Sequence, residues 1–389
     1  MTVTTPLLVG IAADDLTSAT DGAAPFVAKG YAPLITADHK QADSPIVSIN
    51  TDSRALGARE AARATADAIA ALAGARILYK TIDSTLRGHV RDEISAAFRA
   101  SGRNRMVVAP AFPGAGRHTL QGIQSVAGVP VAASVYGSDP VHPARTSVVA
   151  DLIEPALGRP IVLSAGNAVE FEAESGILIL DVETQDALTE QVARVANPET
   201  VLWVGSPGLA IALAERLQPA TSPRRSWRGA ASRVLVVAGS ANPTTHEQCD
   251  HLAAHGVPMI HDLAQAPPDS VMLGLRAPLT RGTTAEAVLA DLARQASIAV
   301  DEYGFNALIA TGGQTMAAIL DQLGAADFIL TGEIEPGFPV GSVELPGRPP
   351  LTIAMKAGGF GCADALHRAA ALLVHPENKT RSTRKGQQT

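Results

Sequence analysis

The feature of this sequence that most constrains its fold is a recurring order of segments: a short aliphatic run, then polar or glycine residues, then a helical pattern. Residues 7–12, 46–49 and 77–79 are aliphatic runs of this kind, and the alanine-rich stretch 58–72 has the period of a helix. Strands that alternate with helices in this way are typical of α/β proteins. The sequence therefore predicts an α/β fold with mostly parallel sheets flanked by helices.

The length of the chain predicts more than one domain, because 389 residues exceed what a single hydrophobic core usually serves. Residues 218–230, reading Q-P-A-T-S-P-R-R-S-W-R-G-A, break every periodicity and predict a linker. We therefore expect one domain at 1–217, a second at 231–375, and an active site in the cleft between them. The polar, basic tail at 376–389 is predicted to be disordered.

Charge and cysteine content exclude several classes of protein. A net charge of −7 argues against a nucleic-acid-binding protein, so any anionic ligand must be held by local basic residues. Cys249 and Cys362 lie far apart without metal-ligand spacing, which favours a reducing cytoplasm over a disulfide framework or zinc site. The N-terminus lacks a basic signal region, and no apolar run approaches the ~20 residues of a membrane span. We expect neither export nor a membrane anchor.

Two carboxylates, Asp14 and Asp15, end the first aliphatic run in the motif A-D-D-L-T-S-A-T-D. Paired acids at the end of a strand can bind sugar hydroxyls, hold a hydrated magnesium ion or accept a proton, whereas helix capping needs only one of them. The next motif, N-T-D-S-R, places Arg54 at another strand end, where the alternative is a surface ion pair. The paired acids favour a functional site.

The motif K-T-I-D-S-T-L-R-G concentrates polar residues at a third strand end. Lys80 and Arg87 can bind an anion, and the planar fork of Arg87 fits a carboxylate. The alternative is a capped helix with solvated charges, because Asp83 and Ser84 are ordinary N-cap residues. A bent loop, P-A-F-P-G-A-G-R-H, ends near Arg117. In an open parallel sheet, these strand ends would converge on one ligand.

Three glycine-containing motifs, G-S-A-N-P-T-T, T-G-G-Q-T and K-A-G-G-F-G, each follow an aliphatic run. Because a helix N-terminus offers backbone amides to an anion, this recurrence predicts a phosphate or nucleotide site. The chain contains no G-x-x-x-x-G-K-[ST], and G-F-G-C-A-D has an acid in place of the third glycine of a dinucleotide fingerprint. Neither a P-loop enzyme nor a Rossmann dehydrogenase is therefore predicted.

Together with P-G-F-P-V-G, these motifs resemble those of the four-carbon acid sugar kinases in both sequence and order. The resemblance extends over nearly the whole chain, from Asp14 to Gly361. It implies an N-terminal sugar-acid domain, a C-terminal domain that binds ATP, and Mg²⁺ as a cofactor. It also implies phosphorylation of the terminal hydroxyl of D-threonate, D-erythronate or a 3-oxo-tetronate.

The resemblance further implies the residues of the site. The implied substrate-binding residues are Asp14, Asp15, Arg54, Lys80, Asp83, Ser84 and Arg87. The implied ATP contacts are Ser240, Gly312, Gly313, Gln314, Thr315 and Gly358. Asp15 is the first choice as catalytic base and Asp83 the second, with Arg87 as a further catalytic residue. Ser18 stands where the family usually has glycine. Gln314 stands where it usually has an acid, so the resemblance leaves the magnesium ligands unassigned.

We therefore expect an ATP-dependent kinase that phosphorylates the C4 hydroxyl of D-threonate or D-erythronate. Within the family, the alternative is a 3-oxo-tetronate 4-kinase. From another class, the alternative is a non-catalytic sugar-acid or nucleotide sensor, because a two-domain cleft suits binding proteins equally. A homodimer is common among enzymes of this size.

Overall fold

The computed structural model describes residues 6–38, 44–139, 141–163, 175–220, 227–229, 231–277, 284–325 and 327–374. The chain divides into two compact units, Met1–Pro223 and Arg224–Thr389. Residues 221–226 and 230 of the predicted linker, and the whole predicted tail, lie outside the described residues. Within the described ranges, no helix is long and apolar enough to cross a membrane.

The first unit is built on a parallel sheet with helices packed against it. Its strands are β1 (Val9–Ala13), β2 (Leu34–Thr36), β3 (Ile46–Asn50), β4 (Ile77–Thr81), β5 (Arg105–Ala109), β6 (Arg117–Leu120), β7 (Ile123–Val126), β8 (Val129–Pro130), β9 (Ile161–Leu163), β10 (Gly176–Leu180) and β11 (Val201–Gly205). The parallel strands follow the order β2-β3-β1-β4-β11-β5-β10-β9, and β6, β7 and β8 form a small antiparallel sheet. Its helices are α1 (Leu16–Ala28), α2 (Ala58–Ala71), α3 (Val90–Ser101), α4 (Gln185–Arg194) and α5 (Pro207–Ala214).

The second unit has a mixed sheet. Its strands are β12 (Val234–Ala238), β13 (Met259–Ile260), β14 (Met272–Arg276), β15 (Ala307–Thr311), β16 (Asp327–Glu333), β17 (Pro339–Val343) and β18 (Leu351–Lys356). The order is β13-β14-β12-β15-β18-β17-β16, and pairing is parallel up to β18 and antiparallel among the last three strands. Its helices are α6 (Pro243–Ala254), α7 (Ala285–Asp301), α8 (Gly313–Gln322) and α9 (Ala365–Leu373).

Burial explains why the aliphatic runs form central strands. Every residue of β1, β4, β12 and β15 is buried, as expected for parallel strands covered on both faces by helices. The large side chains of Trp203 and Tyr79 are fully buried in the first unit. Tyr79 donates its hydroxyl hydrogen bond to the carbonyls of Gly205 and Ser206, at 3.0 and 2.8 Å, so this buried polar group is satisfied.

Both units begin with the same strand arrangement. The first four strands of the first unit lie in the order β2-β3-β1-β4, and those of the second unit lie in the order β13-β14-β12-β15. In both units, the first strand in the chain therefore lies between the third and the fourth. The chain therefore reverses its direction of advance across the sheet at β1 in one unit and at β12 in the other. In open α/β sheets, ligands bind at such switch points, outside the carboxyl ends of the strands.

The predicted α/β class with mostly parallel sheets is confirmed, and two local expectations need correction. Lys80 does not lie in a loop, because β4 continues to Thr81 and leaves the lysine fully buried within the sheet. The capped-helix alternative for Asp83 and Ser84 is wrong, because α3 begins only at Val90 and His89 is its N-cap residue.

Candidate functional site

Two loops that follow adjacent strands of the first unit bring two acids and an arginine together. Asp14 and Asp15 follow β1, and Arg54 lies in a short 3₁₀ turn after β3. The Nε of Arg54 donates to Asp14 Oδ2 at 2.7 Å, and its NH1 forms an ion pair with Asp15. Asp15 also caps α1, accepting a hydrogen bond from Ser18 N at 2.6 Å. One acid therefore serves as the cap, whereas Asp14 has no capping role.

The two carboxylates have pKa values displaced in opposite directions. Burial favours a raised pKa for Asp14, but the charges of Arg54 and Lys80 outweigh it and lower the pKa to about 2. Burial raises the pKa of Asp15 above its ordinary value, since Arg54 compensates only in part and Asp14 adds repulsion. Neighbouring titratable groups whose pKa values are driven apart are typical of acid and base assignments in active sites.

One oxygen of Asp14 lacks a donor. Its Oδ1 is buried and has no hydrogen-bond partner among the described residues. Buried acceptors are almost always satisfied, so this oxygen marks a place where a donor from another molecule would fit. Gly88 lies beside the same carboxylate, since a β-carbon there would contact Asp14 Oδ2 at 3.7 Å, and its φ of +93° favours glycine.

Lys80, a predicted substrate ligand, is held inside the protein. Its ammonium forms a 2.9 Å ion pair with Glu93 of α3 and donates to the Thr81 carbonyl at 2.7 Å. Glu93 in turn accepts a hydrogen bond from Ser53 Oγ at 2.6 Å. Because Ser53 directly precedes Arg54, this buried chain of contacts holds the loop that carries the arginine. The geometry gives Lys80 a positioning role.

Asp83 and Arg87 form a compact polar turn. Asp83 Oδ1 accepts hydrogen bonds from the amide and hydroxyl of Thr85, both at 3.0 Å, and its Oδ2 accepts from Arg87 Nε at 2.5 Å. Arg87 also pairs with Asp139 at 3.3 Å and lies 5.2 Å from the centre of the Tyr136 ring. The fork of Arg87 is therefore already engaged by two carboxylates.

Ser84 and Arg117 flank this turn without sharing its ion pairs. The carbonyl of Ser84 accepts a hydrogen bond from Gln124 Nε2 at 2.7 Å, and the residue is buried. Arg117 donates to the Tyr136 hydroxyl at 3.5 Å, while its Nε is buried without a partner in the described part of the chain. Arg117 thus shares Tyr136 with Arg87, as convergence of the strand ends predicts.

In the second unit, the three glycine motifs do meet. A β-carbon on Gly239 would lie 2.3 Å from Thr315 Oγ1, and one on Gly358 would lie 2.0 Å from Ser240 Oγ, so both approaches exclude any side chain. Gly312 has a φ of +92°, a conformation that glycine adopts without strain. Its amide donates to the Lys356 carbonyl at 2.7 Å.

A cavity of about 480 Å³ opens beside these loops. It is lined by Ala238, Gly239, Ser240, Ala241, Thr245, His246, Cys249, Arg276, Ala277, Ala285, Val288, Leu289, Gly312, Gly313, Gln314 and Thr315. The volume lies within the range of ordinary small-molecule sites. Of the predicted ATP contacts, Ser240, Gly312, Gly313, Gln314 and Thr315 line it, and Gly358 lies against Ser240.

A basic side chain that the sequence analysis did not single out lines this cavity. Arg276, the last residue of β14, donates to Asp250 Oδ1 at 3.1 Å and to His246 Nδ1 at 2.6 Å. Its Nε is buried and has no partner within the described ranges. Because a guanidinium only donates, His246 Nδ1 must accept, and an N–H remains available for an anion.

Lys356 stabilises the glycine loop that follows β18. Its side chain is buried, and Nζ donates to the carbonyls of Ala357 and Gly358 at 3.0 and 3.4 Å. Burial lowers the pKa of Lys356 to about 8, although the charge of Glu335 opposes this shift. The lysine holds the turn whose glycine contacts Ser240.

Sequence reasoning missed Glu93, Asp139, Arg276, His246 and Lys356. For Glu93 a signal existed, because a lysine inside an aliphatic strand requires a carboxylate and R-D-E follows in the same motif. A signal for Arg276 also existed, since M-L-G-L-R is an aliphatic run that ends in a charged residue. Asp139 had none, because its distance from Arg87 along the chain hides the pairing.

Comparison with known proteins gives two matched domains, one within each of the two compact units. The chain matches a family model described as a sugar-binding N-terminal domain over residues 9–213 and one described as a nucleotide-binding C-terminal domain over residues 270–366. A D-threonate kinase of Bordetella bronchiseptica is 31% identical, covering 93% of this chain and 96% of the relative. A 3-oxo-tetronate kinase of Methylobacterium radiotolerans is 27% identical, covering 95% of this chain and 100% of the relative. A solved structure from Salmonella typhimurium LT2 shares the fold, with a TM-score of 0.78 at 23% identity and coverage of 93% and 98%.

Proposed function

This chain belongs to the four-carbon acid sugar kinase family, and on that premise we propose that it transfers the γ-phosphoryl group of ATP to the C4 hydroxyl of D-threonate. As a member it is a phosphotransferase that acts on a sugar acid. D-threonate is preferred because three relatives with that activity in their names match 92% to 93% of this chain, whereas a D-erythronate kinase of similar identity matches 62%. D-erythronate and 3-oxo-tetronate are the alternatives.

The observation that carries the acceptor side of the proposal is the pair Asp14 and Asp15. The open Oδ1 of Asp14 would accept a hydrogen bond from a substrate hydroxyl, and its low pKa keeps it an acceptor. Asp15, with a raised pKa and a partly exposed side chain, is suited to take the C4 proton as phosphorus is attacked. Both oxygens of Asp15 and both oxygens of Asp83 already have partners, but Asp83 is less suited because its side chain is only 10% exposed, against 23% for Asp15.

Arginine contacts set the orientation of the substrate in this proposal. Arg54 is bound by two acids and Arg87 by two others, so neither presents an unpaired charge. The outer N–H groups of Arg87, which is about one-third exposed, would reach the substrate carboxylate while Asp83 keeps the guanidinium in place. Lys80 contributes through the position of Arg54 and through its charge, which helps to lower the pKa of Asp14.

The nucleotide side of the proposal rests on the glycine loops and Arg276. The α8 N-terminus lines the cavity beside Gly312 and Gly313, which suits phosphate binding by backbone amides. The unpaired Nε of Arg276 would add a charge-assisted hydrogen bond to a phosphate oxygen. Positioning and charge neutralisation supply most of the catalysis in phosphoryl transfer.

Magnesium does not fit this cavity as a protein-bound ion. No Asp or Glu belongs to the described residues that line it, and Gln314 stands where the family has an acid. Mg²⁺ commonly keeps several waters and binds substrate phosphates. We therefore propose that it enters as the Mg·ATP complex, as part of the substrate.

The test is an ATP-consumption assay with D-threonate, D-erythronate and a 3-oxo-tetronate, followed by ³¹P NMR of the product. A phosphate on C4 is coupled to two protons of a methylene group, whereas one on C2 or C3 is coupled to a single proton. Turnover with D-threonate and a C4 ester is the expected result. Binding of a tetronate without turnover of any panel member would instead identify the sensor alternative.

Two further expectations accompany the proposal. The homodimer remains a prediction from chain length, and light scattering on the eluting protein at working concentration checks it. The cytoplasmic location remains a prediction from the sparse cysteines, and fractionation of the source cells checks that.

A further inference from the structure

Three imidazoles converge at one place in the second unit. His251 and His255 lie one turn apart at the carboxyl end of α6, and His367 lies on α9. A ring nitrogen from each lies within 4.8 Å of the other two. The ring centres of His251 and His255 are 4.0 Å apart, and His367 lies 4.9 Å from His255 and 5.8 Å from His251.

One hydrogen bond assigns the tautomer of His255. Its Nδ1 lies 2.8 Å from the carbonyl oxygen of His251. A carbonyl can only accept, so Nδ1 carries the proton and Nε2 carries the lone pair. Histidines that bind metals usually donate their other ring N–H to a carbonyl or carboxylate in this way.

We propose that His251, His255 and His367 form a binding site for a borderline transition-metal dication of the Zn²⁺ type. Imidazole nitrogen is a preferred ligand of such ions, and three protein ligands with one open position make a recognised zinc arrangement. His255 is exposed and the other two are half-buried, so the remaining position faces solvent. The site lies outside the nucleotide cavity, which α6 lines through Thr245 and Cys249.

The surrounding charges favour a cation at this position. The carboxyl end of α6, where His251 lies and His255 forms the cap, is the negative end of the helix dipole. His367 lies near the amino end of α9, which has the opposite polarity, but the carboxylate of Asp364 offsets it there. Both helices therefore tolerate a positive charge between them.

The geometry needs only side-chain rotation to close around an ion. With Zn–N bonds of about 2.0–2.1 Å, tetrahedral ligand nitrogens lie roughly 3.3 Å apart. The observed limit of 4.8 Å therefore requires a contraction of at most about 1.5 Å. Imidazoles that are exposed or half-buried can move this far without a shift of either helix. A bound ion would thus link α6 to α9.

The test uses the full chain without a histidine tag. Zn²⁺ is titrated against a chromogenic chelator, and Co²⁺ is followed by its visible absorption. Variants His255→Gln and His367→Gln remove single ligands, and far-UV circular dichroism checks their folding. His261→Gln is the matched control, because His261 also directs Nδ1 to a backbone carbonyl, that of Arg276, yet does not belong to the cluster.

The expected result is one Zn²⁺ per chain, with affinity about 100-fold weaker in His255→Gln and His367→Gln and within about twofold of wild type in His261→Gln. Zn²⁺ should also raise the melting temperature of the wild type and of the control, but not of the two ligand variants. Failure of the folded wild type to bind Zn²⁺ or Co²⁺ saturably would overturn the proposal. Equal affinity in wild type and ligand variants would overturn it as well.

Discussion

Replacement of Asp15 by asparagine separates the chemical role of this residue from its structural role. Asparagine caps a helix about as well as aspartate, so the hydrogen bond from Ser18 N to the side chain is retained. The negative charge is lost, and with it the capacity to take a proton at neutral pH. If Asp15 is the base, catalysis should collapse while the fold survives.

The magnitudes follow from the surroundings of Asp15. Arg54 keeps its ion pair with Asp14 in the variant, so no buried charge is left without a partner and the loss of the second pair should cost roughly 1 kcal/mol. Burial raises the pKa of Asp15, so folding disfavours its charge and the neutral variant is relieved of that cost. We expect a change in melting temperature of less than about 4 °C. A positioned general base contributes about 10²- to 10⁴-fold, and kcat should fall by at least about 100-fold.

The assay is steady-state kinetics with D-threonate and ATP across acidic and neutral pH. Below its pKa, Asp15 is protonated and cannot act as a base, so wild-type kcat/KM should fall on the acid side of a pKa above 3.8. That limb should vanish in the residual activity of Asp15→Asn. Asp83→Asn is the comparison: it should keep the limb and raise KM, because Asp83 orients Arg87. Near-wild-type kcat in folded Asp15→Asn, with the limb intact, would refute the assignment.

Three other outcomes test the remaining parts of the site. Arg87→Lys keeps the charge but not the planar fork, so its melting temperature should lie within a few degrees of wild type while kcat/KM falls about tenfold or more. A loss of kcat/KM below about twofold would contradict the proposed contact between Arg87 and the substrate carboxylate. Gly312→Val and Gly358→Val should weaken ATP binding in calorimetry with tetronate binding retained, whereas Gly324→Val imposes similar strain at the other end of α8, away from the cavity, and should not. Between pH 8 and 10.5, Lys356 is protonated in the unfolded chain but not in the folded chain. The unfolding free energy of wild type, measured by denaturant titration, should therefore rise with pH by up to about 3 kcal/mol relative to that of Lys356→Met. Parallel pH dependences of the two proteins would contradict the pKa of about 8.

The sequence predicts the strands well because central parallel strands bury both faces. Val234–Ala238 reads as an uninterrupted aliphatic run and is entirely buried, so periodicity and burial agree. The same logic locates the polar loops, since Asp14 and Gly312 directly follow such runs. Where a buried strand includes a charge, the logic fails. The aliphatic run 77–79 predicts a strand that ends before Lys80, whereas β4 includes this lysine and its partner Glu93 makes the burial tolerable.

The partners of the site residues could not be predicted, because they depend on contacts between distant segments. Arg54 was recognisable as a strand-end arginine, but its engagement by both Asp14 and Asp15 follows from the order β3-β1-β4, which periodicity does not encode. The same holds for Arg87 and Asp139. Residue types at strand ends thus indicate candidate site residues, and topology decides which of them are already neutralised by a partner.

Under the proposed function, one repeated strand arrangement would serve two different ligands. Each unit has an arginine at the end of its third strand, Arg54 after β3 and Arg276 at β14, next to the loop that follows the first strand. In the first unit that loop carries two acids, which occupy the guanidinium and leave the open oxygen of Asp14 for a hydroxyl. In the second unit the loop is G-S-A-N-P, without an acid, and Arg276 keeps an unpaired Nε for an anion. Because the backbone layout is shared, we propose that the charge of the first loop determines whether the strand ends suit a polyol or a phosphate.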